Sequence, residues 1–119
     1  MTQNNGIKKL KSKIQIDLVF NKGKAFRSGA LIVHFINRKE GLENTHIGVG
    51  VSKRSVLLAY RRNRIKRQIR AVIQRQKKEV LRTLPPGFYM VLYKGKISVA
   101  TNRLEQDFEG LLKHFTEGG

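Results

Sequence analysis

The chain has 119 residues, is 39% hydrophobic, and sets 25 Lys and Arg against 8 Asp and Glu, a formal net charge of +17 with histidines neutral. That length allows one domain with one modest core, and the absence of cysteine excludes a disulfide framework, a thiolate zinc site and a cysteine nucleophile. Self-repulsion of this size costs stability unless a polyanion shares the charge, which points to a nucleic-acid partner ahead of an anionic membrane surface.

Residues 1–9 are polar and basic and read as a disordered tail, leaving 10–116 as a single RNA-binding domain and 117–119 as a short tail. No apolar core run lies within 1–13, so a secretory signal is not expected there. No window approaches the roughly 20 apolar residues that a membrane span needs. A cytoplasmic setting fits these features, and no membrane partner is expected.

The spacing of Ile16, Val19 and Phe20 predicts a helix over 13–23, with Ser12 placed to cap it and Gly23 to stop it. Residues 31–36 form an apolar run expected to be a strand, followed by a polar loop over 37–44. Over 45–52, Ile47, Val49 and Val51 alternate with Gly48, Gly50 and Ser52, the pattern of a strand. These two strands read as an antiparallel hairpin. The longest helical stretch runs over 56–76, extending towards Leu84, where Pro85 and Pro86 end it. Residues 88–93 predict a third strand, and 97–100 a short strand or an extended loop.

A helix over 102–115 closes the chain. Asn102 and Glu105 stand in capping-box spacing, and Leu104, Phe108, Leu111, Leu112 and Phe115 form one stripe. The expected fold is a small α+β or α/β sandwich, a sheet packed with about three helices.

Between Glu43 and Glu79 there is no acidic residue, while the stretch holds Lys53, Arg54, Arg61, Arg62, Arg64, Lys66, Arg67, Arg70, Arg75, Lys77 and Lys78. At roughly 100° per residue, Ile65, Ile69, Val72 and Ile73 gather on one side of the helix. Arg62, Asn63, Lys66, Arg67 and Arg70 spread over the adjoining side. Like charges at i, i+4 and i+8 destabilise an isolated helix by a few tenths of a kcal/mol per pair. A solvated face usually mixes both signs, so this run reads as a phosphate-binding face. Arginine's planar fork suits bidentate contacts to phosphate, and the Asn63 amide can both donate to and accept from a base edge or ribose hydroxyl.

Catalytic groups are not evident. His34, His46 and His114 lie in unrelated segments without metal-ligand spacing. The eight acids offer no pair placed for two-carboxylate chemistry. Gly48-Val49-Gly50 sits within a strand and lacks the following glycine and lysine of a phosphate loop. No catalytic residue, protein-held metal or small-molecule substrate is therefore expected. Charge alone leaves open another basic RNA-binding module, such as a ribosomal or assembly protein. It also leaves open a DNA regulator using the arginine-rich helix, although no helix-turn-helix signal or dimerisation heptad accompanies that helix.

The stretch Ala59-Tyr60-Arg61-Arg62-Asn63-Arg64-Ile65-Lys66-Arg67-Gln68-Ile69-Arg70 resembles the signature of the bacterial ribonuclease P protein family. Ile47-Gly48-Val49-Gly50-Val51-Ser52-Lys53-Arg54 is similar to the strand that precedes it in that family. The helix ending in Lys22-Gly23 and the Pro85-Pro86-Gly87-Phe88-Tyr89 segment extend the resemblance over residues 10–115.

The resemblance implies an α/β sandwich whose arginine-rich helix lies in a left-handed crossover between parallel strands, against the usual hand. It implies a ribonucleoprotein that removes the 5′ leader of precursor tRNA by magnesium-dependent hydrolysis, with chemistry and Mg2+ held mainly by the RNA subunit. Lys53, Arg54, Arg61, Arg62, Asn63, Arg64, Lys66, Arg67 and Arg70 would face RNA, and DNA would be no partner. Ile16, Phe20 and His34 would line the cleft for the leader. Of these, Ile16 stands where an aromatic is usual and His34 where a tyrosine often sits.

Overall fold

The computed structural model describes residues 6–37, 43–95 and 101–117. In chain order these form β1 (Ile7–Lys9), α1 (Lys13–Lys22), β2 (Lys24–Ser28), β3 (Leu31–Asn37), β4 (Thr45–Val51), α2 (Ala59–Arg75), α3 (Lys77–Thr83), β5 (Gly87–Tyr93) and α4 (Thr101–Glu117). The strands make one mixed sheet in the order β1-β4-β5-β3-β2, an α+β fold. β1 lies inside the stretch read from sequence as a tail. The expected strand over 97–100 lies outside the described residues, as does the side chain of Asn102 expected to cap the last helix.

The middle of the sheet belongs to β5. Its run Phe88-Tyr89-Met90-Val91-Leu92-Tyr93 has no polar alternation, as suits a strand covered on both faces. It pairs parallel with β4 and antiparallel with β3. The expected hairpin between residues 31–36 and 45–52 is thereby corrected: β5 separates the two strands, because it alone can be buried on both sides. The hairpin that does form joins β2 to β3. Its turn is Gly29-Ala30, with Gly29 at φ +58, a left-handed conformation that glycine adopts without strain. Asp107 of α4 accepts the Ala30 amide proton at 3.1 Å and fixes that turn.

Two apolar layers flank the sheet. On one face α2 and α4 bury Ile65, Ile69, Val72, Ile73, Leu104, Phe108, Leu111 and Leu112 against Leu31, Val33, Phe35, Ile47, Tyr89 and Val91. On the other, α1 sets Val19 over Leu10, Phe88 and Met90. Ser12 caps α1 by accepting from the Gln15 amide. Gly23 ends it where a Cβ would fall on the carbonyl oxygens of Val19 and Phe35. The long helix expected over 56–84 is two: α2 starts three residues later, and Gln76 separates it from α3. With that division the described residues hold four helices. The Thr45 hydroxyl, fully buried, donates to the Leu84 carbonyl at 3.1 Å, and the Tyr89 hydroxyl donates to that of Pro85 at 2.7 Å, anchoring the turn into β5.

Candidate nucleic-acid interface

Helix α2 buries one stripe and leaves its cations outside. Arg61, Asn63, Arg64, Arg67 and Arg70 are exposed, Lys66 and Arg62 half-buried. In the turn after β4, Lys53 and Arg54 are exposed too, with the Arg54 amide donating to Ser52 Oγ at 3.0 Å. None of these cations is ion-paired among the described residues, where the bridges are Arg75–Glu105 and Arg82–Glu79. An unneutralised row on a rigid helix is what phosphates bind, and each phosphate contact releases counterions.

The cations do not all share one side. Arg64 lies on the flank of Arg75, which pairs with Glu105 of α4; at roughly 100° per residue the two are nearly in line, and Lys66 and Arg70 lie on the other flank. Arg62 differs again. Its Nη1 donates to the carbonyls of Val56 at 2.9 Å and Leu57 at 2.7 Å, so it holds the segment leading into the helix. That role follows from tertiary geometry that no periodicity reveals.

On the Arg70 flank, α2 meets the sheet edge around a hollow of about 300 Å³ lined by Ile7, Lys8, Lys9, Gly48, Arg70 and Gln74 among others. Lys9, in register with Ile47, thus extends the cationic surface from α2 to β1, whereas Lys8 stands beside His46 on the α1 face. Sequence reasoning missed them, because three strand residues carry too little pattern to be told from a basic tail.

The proposed cleft residues lie on the opposite face of the sheet. Phe20 on α1 is 40% exposed and meets His34 of β3 edge-on, ring centroids 4.8 Å apart. Ile16 packs against the α1-side apolar layer. Burial lowers the His34 pKa, and the nearby Lys94 charge lowers it further. His46 is lowered in the same way, by burial and then by Lys8. Phe20 and His34 therefore form an aromatic pair on the α1 side of the sheet, with ring faces of the kind on which a base can stack.

Among the described residues there is no group of three or more His, Asp and Glu that could hold a metal ion. No helix among them is long and apolar enough to cross a membrane.

The profile of the Ribonuclease P family matches residues 5–116. The ribonuclease P protein component of Thermotoga maritima is 34% identical over 92 residues, covering 77% of this chain and 68% of that protein. That of Lactobacillus helveticus is 32% identical over 72 residues, covering 60% and 58%. Among solved structures, the RNase P protein from Thermotoga maritima superposes with a TM-score of 0.72 at 26% identity, covering 90% of this chain and 96% of that one. The Staphylococcus aureus RNase P protein gives 0.72 at 24% identity, covering 88% and 92%, a likeness of fold.

Proposed function

The chain belongs to the ribonuclease P protein family, and from that membership we propose that it binds the catalytic RNA of ribonuclease P and the 5′ leader of precursor tRNA. It thereby promotes hydrolytic removal of the leader in the cytoplasm. The observation that carries this reading is the row of α2 cations, Arg61 to Arg70, without an ion-pair partner among the described residues, continued by Lys53 and Arg54 on one side and by Lys9 on the other.

In this reading Asn63, Arg64, Lys66, Arg67 and Arg70 contact RNA directly with Lys53, Arg54 and Arg61, while Arg62 holds the entry to α2 in place. Phe20 and His34 contact the leader, with Ile16 supporting α1 beneath them. The protein's part is positioning and charge neutralisation; it supplies no bond-breaking group. Magnesium belongs mainly to the RNA subunit. The described side chains present no donor cluster of their own, so no step is assigned to a protein-held ion.

Reconstitution tests the proposal. The purified chain is added to a bacterial ribonuclease P RNA at low magnesium, and 5′ cleavage of a precursor tRNA is followed. Cleavage that requires both components is the expected result. RNA that is bound by the protein yet gains no activity would reduce the chain to a general RNA binder.

A further inference from the structure

Just ahead of the cationic row, three large apolar side chains stand in solvent within four residues: Leu57 at 82% exposed, Leu58 at 48% and Tyr60 at 63%. None of them joins either apolar layer of the sheet. The folded chain therefore does not need them for its core, and an exposed apolar cluster of this kind marks a surface that is covered in use.

Tyr60 stands in the first turn of α2, on the side away from the buried stripe. At roughly 100° per residue it shares that side with Asn63, Arg64 and Arg67, one and two turns on. Its ring is held. The Arg61 guanidinium carbon lies 5.9 Å from the ring centroid, and Arg61 Nε donates to the Tyr60 hydroxyl at 3.3 Å. Arg62, through the Val56 and Leu57 carbonyls, fixes the backbone that presents the cluster. The result is a pre-ordered aromatic surface with cations around it and no acidic residue between Glu43 and Glu79.

The geometry points to Tyr60 as a stacking platform for one unpaired nucleobase of the RNA partner. The inference rests on the proposed RNA-binding role and goes beyond it by assigning a base contact to a face otherwise read as phosphate-binding. A base on the Tyr60 ring places its edge within reach of the Asn63 amide three residues along, about 4.5 Å of helix rise. Its flanking phosphates meet Arg64 and Arg67. A second copy of this chain is the poorer occupant, since docking two such surfaces would oppose like charges with nothing to neutralise them.

The chain has no tryptophan, so Tyr60→Trp installs a single fluorescent reporter at the platform. The probes are a single-stranded RNA of about ten nucleotides, roughly one binding site in length, an abasic oligomer of equal charge, and a blunt RNA duplex. Quenching by the single strand, with little by the other two, is the expected result. Tyr60→Ala should weaken single-strand binding roughly 5- to 100-fold, the loss of one base–aromatic stack. Its salt slope should not change, and Tyr60→Phe should restore affinity.

Equal quenching by the abasic oligomer overturns the proposal. So does an unchanged affinity in folded Tyr60→Ala that still binds RNA with steep salt dependence, and in either case the RNA-binding reading survives. A concentration-dependent dimer lost on the same substitution would assign the patch to self-association instead. Failure of the wild-type chain to bind any of the three probes would sink the RNA-binding reading and this one with it.

Discussion

A guanidinium that already donates to two carbonyl oxygens has fewer donors left for a phosphate. Arg62 and Arg67 both belong to the cationic motif, yet only Arg62 is fastened to its own chain. Replacing Arg62 by Ala should cost about 1–2 kcal/mol of stability, the value of charge-assisted bonds at a partly exposed site, and lower the thermal midpoint by several degrees. Replacing Arg67 by Ala should leave the midpoint alone and reduce the salt slope of RNA binding by about one unit, at roughly 0.7–0.9 per phosphate. A common effect of both changes would falsify this division of labour.

The histidines add a pH dependence. His34 and His46 both have folded pKa values lowered below the ordinary 6.5, by burial first and then by Lys94 and Lys8 respectively. The unfolded chain therefore binds more protons as pH falls through 6.5 towards the folded values, so stability declines across that interval. Thermal midpoints between about pH 7.5 and 5 should fall less steeply for the double variant His34→Gln, His46→Gln than for the parent.

At the scale of elements, α1 depends on one close approach. A side chain at Gly23 would press on backbone oxygens of both α1 and β3, neither of which yields as a flexible side chain does. Gly23→Ala should cost about 1–3 kcal/mol and displace the helix that carries Phe20. Phe20→Ala should instead leave the helix in place. Kinetics on long-leader and leaderless precursors separate the two: Phe20→Ala should impair long leaders selectively. Gly23→Ala should impair them together with a lowered thermal midpoint. Equal loss on both substrates from Phe20→Ala would return that ring to a packing role.

These elements also mark how far the sequence could be read. Helices α1, α2 and α4 were legible because their apolar residues recur at helical spacing and their ends carry Ser12, Gly23 and Pro85. Strands β3, β4 and β5 were legible as apolar runs, but their order was not. Adjacency in sequence favoured pairing β3 with β4, and only the two-sided burial of β5 decides otherwise. β2 was not read from the sequence, because it alternates weakly, with Lys24, Ala25 and Arg27 exposed. The cationic residues of the candidate interface were legible as a run without acids. The fastening of Arg62 and the arrival of Lys9 beside Arg70 were not, because both depend on contacts between segments.

Over the whole molecule the charge is sorted. Five of the eight acids lie on α3 and α4, Glu79 on the first and Glu105, Asp107, Glu109 and Glu117 on the second. The large open hollow of about 1080 Å³ between these helices is lined by both signs, including Arg75, Lys78, Glu79, Arg82, Glu105 and Glu109. Basic and mixed surfaces should respond oppositely to salt. Raising ionic strength from about 0.01 to 0.15 M shortens the screening length from roughly 30 to 8 Å. The free chain, at +17, should then melt at a higher temperature as its self-repulsion is screened. Affinity for RNA should fall over the same range, and calorimetry beside a binding titration would expose the opposed signs.

The place of β5 also sets a timetable. The strand at the centre of the sheet is the eighth of the nine elements among the described residues to be synthesised. Until residue 93 is available, β3 and β4 each lack the neighbour that joins them, and the pairings on hand are the β2–β3 hairpin and the short β1–β4 contact. Two-stranded pairs are marginal in water by themselves. Closure of the sheet, and with it the seating of α1 and α2 on opposite faces, therefore waits for residue 93. A ribosome stalled before β5 would hold an extended polycation with unburied apolar strands, so the synthesis of β5 is the step that lets this sheet close.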